Sequence, residues 1–167
     1  MRRRPADDGS IDRIGRLYDR FAGPLYRYAL MILADPGGAA DAVQQVFVAV
    51  LSGGGAEMDD EERYLRRAVR NECFSALRQR KRSIVTAVDT QLLEAVAANA
   101  DRPDERLAIE QALRELPPEQ REVVHLKIFE GWTFQEIADL AGESINTVAS
   151  RYRYAIEKMR TEFGARS

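Results

Sequence analysis

The 167-residue chain has one cysteine, one histidine and one tryptophan, and it lacks an apolar run long enough to cross a bilayer. Because Cys73 has no second cysteine to pair with, an internal disulfide is excluded, which fits a reducing compartment. The basic N-terminal segment MRRRPADDGS is not followed by an apolar stretch, so the sequence predicts neither a secretory signal nor membrane insertion. We therefore expect a cytoplasmic protein.

The residues on which enzymes commonly depend are also scarce. His125 is the sole histidine, and the sequence places no acid and hydroxyl pair and no cysteine near it. We interpret His125 as a rim residue of a helix and expect no catalytic or metal-binding role for it. The run Gly53-Gly54-Gly55 lacks the lysine that follows the glycines of a phosphate-binding loop. The sequence gives no basis for an enzyme, a metal site or a cofactor.

Charged residues are unevenly distributed along the chain, although the net charge is only −2. Acids without any base occupy residues 35–62, and a second acid-rich stretch covers 89–122. Basic residues crowd between these stretches, with only Glu72 against them: Arg63, Arg66, Arg67, Arg70, Arg78, Arg80, Lys81 and Arg82. This segregation predicts at least two partners of different character, one of them polyanionic.

No strand alternation and no internal repeat is visible, whereas apolar residues recur at steps of three and four through most of the chain. We predict an all-α fold of two small helical domains, residues 10–82 and 104–163, joined by a linker at 83–103. The first helix is expected from Ser10 to Ala34, where Pro24 allows a bend. Pro36 then starts the second helix, and an Asp59–Glu62 capping pair starts the third.

The most informative segment is Trp132–Arg160, which predicts two helices joined by a tight turn. Thr133 and Glu136 form a capping box, and the apolar stripe that follows ends at Gly142, which can adopt positive φ. Ser144 is placed to cap the next helix. Ala138 lies one helical turn before the glycine and Val148 six residues after it, which is the spacing of a helix-turn-helix. An amphipathic hairpin that merely packs is the alternative.

The outer side of the second helix of this motif is polar. Short polar and basic side chains of this kind reach base edges and phosphates when a recognition helix enters the major groove. The candidate DNA-binding residues are Asn146, Thr147, Ser150, Arg151 and Arg153.

The order of motifs resembles a known family. DAVQQVF and YLRRAVRNECFSALRQRKR precede the linker, and LRELPPEQREVVHLKIFEGWTFQEIADLAG and INTVASRYRYAIEKMR follow it. This arrangement is similar to the sigma-70-type initiation factors of bacterial RNA polymerase, in the extracytoplasmic-function group that keeps only regions 2 and 4. The resemblance covers about residues 11–160 and implies a region 2-like three-helix bundle followed by a region 4-like four-helix domain with a helix-turn-helix.

The resemblance implies a function and a set of sites. The chain is expected to bind core polymerase and to direct promoter recognition, DNA melting and transcription initiation. The helix after Pro36 would dock on the clamp coiled coil of the largest subunit through Asp41, Gln44, Gln45 and Phe47. Phe47 is open to a second interpretation, as plain core. The following helix would hold the −10 element and the melted strand through Arg63, Tyr64, Arg67, Arg70, Asn71, Arg78 and Lys81.

The recognition helix would read the −35 element, while the second domain would contact the flap of the second-largest subunit. An anti-sigma factor is a further implied partner. The chain departs from the family pattern at Gln45, where an acid is usual, and at Ala149, where lysine is usual. It also departs at Glu143, where the family has an apolar residue; the acid either points away from DNA or caps the helix.

Two other functions remain open from the sequence alone. A stand-alone helix-turn-helix regulator would use the second domain only and would bind its operator as a symmetric dimer without polymerase. A decoy or adaptor of the same fold would not bind DNA at all. Neutralising Arg151 and Arg153 would disable either DNA-binding protein and would leave the adaptor intact.

Overall fold

The computed structural model describes residues 8–53, 58–81 and 103–165. Over these residues the chain is helical, with the element order α1 (Asp8–Leu33), α2 (Pro36–Ser52), α3 (Glu61–Arg80), α4 (Pro103–Arg114), α5 (Pro118–Val124), α6 (Phe134–Ala141) and α7 (Ile145–Gly164). A π-helical turn, His125–Phe129, continues α5. No strand occurs within these ranges, so the predicted all-α fold is confirmed.

The chain forms two compact units. Among the described residues, the first comprises 8–29, 37–53 and 58–81, and the second comprises 30–36 and 103–165. The predicted linker at 83–103 lies outside the described residues, apart from the first residue of α4. The sequence did not indicate that residues 30–36, the end of α1 and its connection to α2, belong with the C-terminal half.

The first unit is built from α1, α2 and α3, whose apolar faces form its core. Helix α1 runs through Pro24 without interruption. Asp60, rather than Asp59, caps α3: its carboxylate accepts a hydrogen bond from the Arg63 amide at 3.0 Å. The predicted Asp59–Glu62 pair is therefore wrong by one residue. The buried side chains that fill this core include Leu25, Tyr28, Val43, Val46, Leu65, Val69 and Cys73.

In the second unit α7 packs against α4, α5 and α6. Its core contains Leu113, Leu116, Val124, Leu126, Ile137, Val148 and Ala155, all buried. The helix-turn-helix is formed as the sequence predicts. Thr133 Oγ1 accepts from the Glu136 amide at 3.2 Å and the Thr133 amide donates to Glu136 Oε2 at 2.8 Å, which completes the capping box. Ser144 Oγ accepts from the Thr147 amide at 3.1 Å and caps α7.

Arg121 is buried in the second unit and satisfies three backbone carbonyls. Its guanidinium donates to Met31 O at 2.8 Å, to Ile32 O at 2.7 Å and to Leu116 O at 2.8 Å. Burial lowers the pKa of the Arg121 guanidinium, and the nearby Glu119 carboxylate opposes that change. The side chain thus ties the last turn of α1 into the second unit.

His125 differs from its predicted position. Its side chain is buried rather than at a rim, and Nε2 lies 2.7 Å from Glu130 Oε1. The sequence pattern hides this partner because α-helical spacing puts residues five apart on different faces. The π-helical turn from His125 to Phe129 changes that spacing, which brings the Glu130 carboxylate within hydrogen-bond distance of His125 Nε2.

Gly142 ends α6 in the left-handed conformation, with φ of 67°. An alanine there meets no atom within 4 Å, so its cost is backbone strain alone. We expect Gly142→Ala to lower the free energy of unfolding by about 1 kcal/mol, measured by denaturant titration. Gly15, inside α1, has equal space and ordinary φ, so Gly15→Ala should raise stability by about 0.5–1 kcal/mol. Effects of the same sign would contradict the strain argument.

Candidate nucleic-acid interface

Helix α3 carries the predicted −10 residues along one side. Successive positions three or four apart on this helix stand above one another, which generates a continuous surface that we call the α3 ridge. Tyr64, Arg67 and Asn71 are exposed, while Arg63 and Arg70 are half-buried. The α3 ridge consists of Arg63, Tyr64, Arg67, Arg70, Asn71, Phe74, Arg78 and Lys81.

Phe74 was not predicted as a site residue, but it belongs to the α3 ridge. It is half-buried, and the Arg70 guanidinium lies 4.5 Å from its ring centroid. The same spacing that joins Arg67, Arg70 and Lys81 could have found it, since position 74 lies one turn after Arg70. The stacked pair offers a flat cationic surface, which suits an unstacked base as well as a phosphate.

Arg66 does not belong to the ridge, although it stands among the crowded basic residues. Its side chain is 2% exposed and its guanidinium lies over the Tyr28 ring at 4.9 Å. Glu62 Oε1 is 3.4 Å from its Nη2. Arg66 is therefore part of the first unit's core, and the charge density of the ridge is lower than the sequence indicates.

Tyr64 combines exposure with a neighbouring cavity. Its side chain is 52% exposed, and it lines an open pocket of about 380 Å³ together with Ala49, Val50, Gly53, Met58, Asp59 and Asp60. The lining is mostly apolar and includes two carboxylates, those of Asp59 and Asp60. The aromatic face and the pocket together can hold a flat group that has left a base stack.

The predicted −35 residues lie on the outer side of α7, which we call the α7 recognition face. Asn146 and Arg153 are exposed, and Thr147, Ser150 and Arg151 are half-buried. The Thr147 hydroxyl lies 2.9 Å from Ser144 Oγ, so it takes part in the helix cap as well. Tyr154 is a residue that the sequence analysis missed: it is 55% exposed, and the Arg153 guanidinium stands over its ring at 5.3 Å.

Glu143 points toward the recognition helix. Its Oε1 lies 3.1 Å from Arg151 Nη2. The carboxylate does not cap α7, since that position is taken by Ser144. The alternative left open by the sequence is therefore replaced by a third arrangement, an ion pair with a predicted DNA-binding residue.

The predicted docking residues of α2 separate into two groups. Asp41, Gln44 and Gln45 are exposed, and Val48 beside them is an exposed apolar side chain. Phe47 is only 6% exposed, and its ring packs edge-on against Tyr18 with centroids 5.1 Å apart. This environment fits the interpretation of Phe47 as a core residue, so the side chains of α2 that are available to a partner are the exposed ones, Asp41, Gln44, Gln45 and Val48.

Other kinds of site find no counterpart over the described residues. Within ranges 8–53, 58–81 and 103–165, no group of three or more His, Cys, Asp or Glu side chains is arranged to hold a metal ion. None of the helices there has both the length and the apolar content of a membrane span.

Comparison with known proteins identifies the family of the chain that carries the α3 ridge and the α7 recognition face. The family described as Sigma-70 region 2 matches residues 17–83, and the one described as Sigma-70, region 4 matches residues 106–159. The chain belongs to the sigma-70 family of RNA polymerase sigma factors. The α3 ridge falls within region 2 and the α7 recognition face within region 4, in the order that the sequence predicted.

Individual sigma factors support the extracytoplasmic-function assignment. The chain is 30% identical to the extracytoplasmic-function sigma factor SigL of Mycobacterium tuberculosis over 154 residues, which is 86% of this chain and 85% of SigL. It is 28% identical over 162 residues to the sigma factor CarQ of Myxococcus xanthus, covering 94% and 92% of the two chains.

A solved structure shares the fold. The sigma factor RpoE of Bartonella quintana, crystallised with the anti-sigma factor NepR, matches with a TM-score of 0.66 and 22% identity, over 85% of this chain and 91% of RpoE. As a sigma factor, the chain acts with core RNA polymerase and promoter DNA in transcription initiation. The stand-alone regulator is not favoured.

Proposed function

We propose that this sigma factor divides promoter recognition between its two units. The α3 ridge binds the −10 element and the strand that is released on melting, and the α7 recognition face reads the −35 element in the major groove. The proposal rests above all on the α3 ridge, because cations and an exposed aromatic ring share one side of a single helix. A single strand needs both, cations for its phosphates and flat groups for its bases.

The residues of the ridge have different roles in this proposal. Tyr64, Arg67, Arg70 and Asn71 contact bases and the adjacent backbone, since Tyr64 lines the pocket at the start of α3 and the other three follow it along the same side of the helix. Arg78 and Lys81, at the far end, contact phosphates without sequence preference. Arg63, whose guanidinium lies 3.6 Å from the carboxylate of the capping Asp60, contributes to both kinds of contact, with bases and with phosphates.

Helix α2 docks on the clamp coiled coil of the largest polymerase subunit, and the second unit docks on the flap of the second-largest subunit. Exposed Asp41, Gln44 and Gln45 make the polar contacts of α2, while Phe47 supports them from within. An anti-sigma factor holds the protein inactive in the cytoplasm until a signal releases it.

Transcription from a fragment library tests the proposal. The purified chain and core polymerase are incubated with genomic promoter fragments, and transcript starts are mapped. We expect starts at a fixed distance from a shared two-box sequence. A chain that binds no core polymerase and starts no transcript contradicts the proposal. Tight dimeric binding to free duplex without polymerase would instead support a regulator.

The recognition helix gives a prediction for one residue. Asn146, exposed in the first turn of α7, stands where recognition helices reach base edges. We expect Asn146→Ala to reduce discrimination at one −35 base pair by about 1 kcal/mol, because an amide that pairs with a base edge is removed. The measurement compares transcription from the mapped promoter with all single substitutions of its −35 box. Equal losses on every −35 sequence would contradict a base-reading role.

A further inference from the structure

Glu143 is held in a fixed place by the turn of the helix-turn-helix. Gly142 before it adopts φ of 67°, and Ser144 after it caps α7 through the Thr147 amide. The amide of Glu143 itself donates to Ala138 O at 3.1 Å. With its backbone fixed on both sides, the carboxylate projects beside the second turn of α7, where Arg151 stands.

The Glu143 carboxylate is paired with Arg151, one of the cations that the proposed function assigns to DNA binding. Glu143 Oε1 lies 3.1 Å from Arg151 Nη2, and the two side chains are 39% and 23% exposed. Nη1 of the same guanidinium is buried and donates to none of the described residues. The carboxylate therefore makes a single charge-assisted contact through Nη2, a kind of contact that a phosphate oxygen could also make.

The charge balance of the recognition face follows from this contact. Without Glu143, Arg151 and Arg153 would both present positive charge to the DNA. With it, Arg151 is neutralised and an acid stands at the edge of the surface that approaches the phosphates. A partly exposed ion pair of this type is weak, so DNA can displace it, but the free energy needed to break the pair lowers the net affinity for DNA.

We propose that Glu143 competes with DNA for Arg151 and thereby weakens the binding of the second unit to free −35 duplex. This inference rests on the proposed role of α7 in reading the −35 element. The competition makes promoter binding depend more strongly on polymerase, which supplies the additional contacts. Glu143 is thus a determinant of affinity through Arg151 rather than a base-reading residue.

The test measures the affinity of the full-length chain for a fluorescent duplex that carries the mapped −35 box, and for a scrambled duplex, at low salt. Glu143→Gln is expected to bind the −35 duplex about threefold to fivefold more tightly, since an exposed ion pair has a strength of that order. In an Arg151→Gln background the same substitution should change the affinity little, because the group for which Glu143 competes is gone.

Asp139→Asn is the matched control. It makes the same charge change in the same motif, but Asp139 lies on α6, where it accepts from Gln135 Nε2 at 2.9 Å. We expect it to leave the affinity nearly unchanged, and we expect all variants to unfold at the same temperature within a few degrees.

The outcomes separate this inference from the function on which it depends. If the unmodified chain, alone and with polymerase, does not distinguish the −35 duplex from the scrambled one, the proposed function fails. If it does distinguish them but Glu143→Gln binds equally or more weakly, only the competition is overturned. An equal gain in the Arg151→Gln background also overturns it, since general charge repulsion would then explain the effect.

Discussion

Replacing Arg121 with methionine is expected to lower the free energy of unfolding of the second unit by about 3–5 kcal/mol, because the substitution leaves buried carbonyls without their donors. Methionine keeps most of the buried volume, so the destabilisation isolates the polar contacts from the packing. All three hydrogen bonds of the guanidinium are short, between 2.7 and 2.8 Å, as expected of a charged donor.

Two of those carbonyls lie at helix ends, where the ordinary backbone donor is absent or donates elsewhere. The amide that would normally satisfy Ile32 O belongs to residue 36, and Pro36 has no N–H. Leu116 O lies in the turn between α4 and α5, and the Gln120 amide four residues later donates to Pro117 O at 3.0 Å instead. Pro36 is useful where it stands, since it starts the next helix, and Arg121 supplies donors to both carbonyls.

Denaturant unfolding monitored by circular dichroism measures the effect of Arg121→Met. Arg160→Met is the control: Arg160 is exposed on α7, so its replacement should change stability by no more than about 0.5 kcal/mol. Arg121→Lys should fall between the two, because an ammonium keeps the charge but cannot reach three separated oxygens. Equal stability of the methionine variants would contradict the capping role.

The helix-turn-helix could be predicted in detail because its signals are local. The capping box of Thr133 and Glu136, the positive φ of Gly142 and the cap of Ser144 involve residues at most three positions apart. Such contacts form in the same way in almost any surrounding. The α3 cap shows the limit of this approach, since adjacent Asp59 and Asp60 offer the same chemistry and only the backbone geometry chooses Asp60.

The features that could not be predicted depend on packing between distant segments. Arg121 and Ile32 are 89 residues apart, so no local pattern relates them. Tyr18 and Phe47 meet only when α1 lies against α2, and that contact explains why Phe47 is buried. Arg66 looks like its neighbours in sequence, yet helical position turns it toward Tyr28 and away from the ridge. Residue type and periodicity predict where the binding surfaces lie. Which side chains belong to each surface depends on which of them are buried in the folded protein.

Tyr64→Ala is the substitution from which we expect the largest loss of promoter opening. An aromatic side chain that stacks on an unpaired base contributes about 1–3 kcal/mol, which corresponds to a decrease of about fivefold to 150-fold in the open complex. Because Tyr64 is 52% exposed, its removal should affect folding little. Permanganate reactivity of unpaired thymines at the mapped promoter measures the open fraction directly.

A promoter with a premelted −10 region distinguishes opening from general binding. Premelting removes the energetic cost of unpairing the bases. If Tyr64 acts by holding an unstacked base, the effect of Tyr64→Ala on open-complex formation should become smaller on this promoter. The variant should still bind the single strand more weakly than the unmodified protein does. Tyr64→Phe keeps the ring and should retain most activity. A defect in Tyr64→Phe as large as that of Tyr64→Ala would assign the effect to the hydroxyl and contradict stacking.

Arg78 and Lys81 provide the contrast on the same helix. Their joint replacement by glutamine should weaken binding to duplex and premelted promoters alike, and the salt dependence should fall by about one unit of slope for each phosphate that is no longer neutralised. Tyr64→Ala should leave that slope unchanged, because the tyrosine carries no charge. The two variants thus separate the attraction of the α3 ridge for the DNA backbone from its contact with a base. If both results are obtained, the α3 ridge acts in promoter opening and not only as a generally cationic helix.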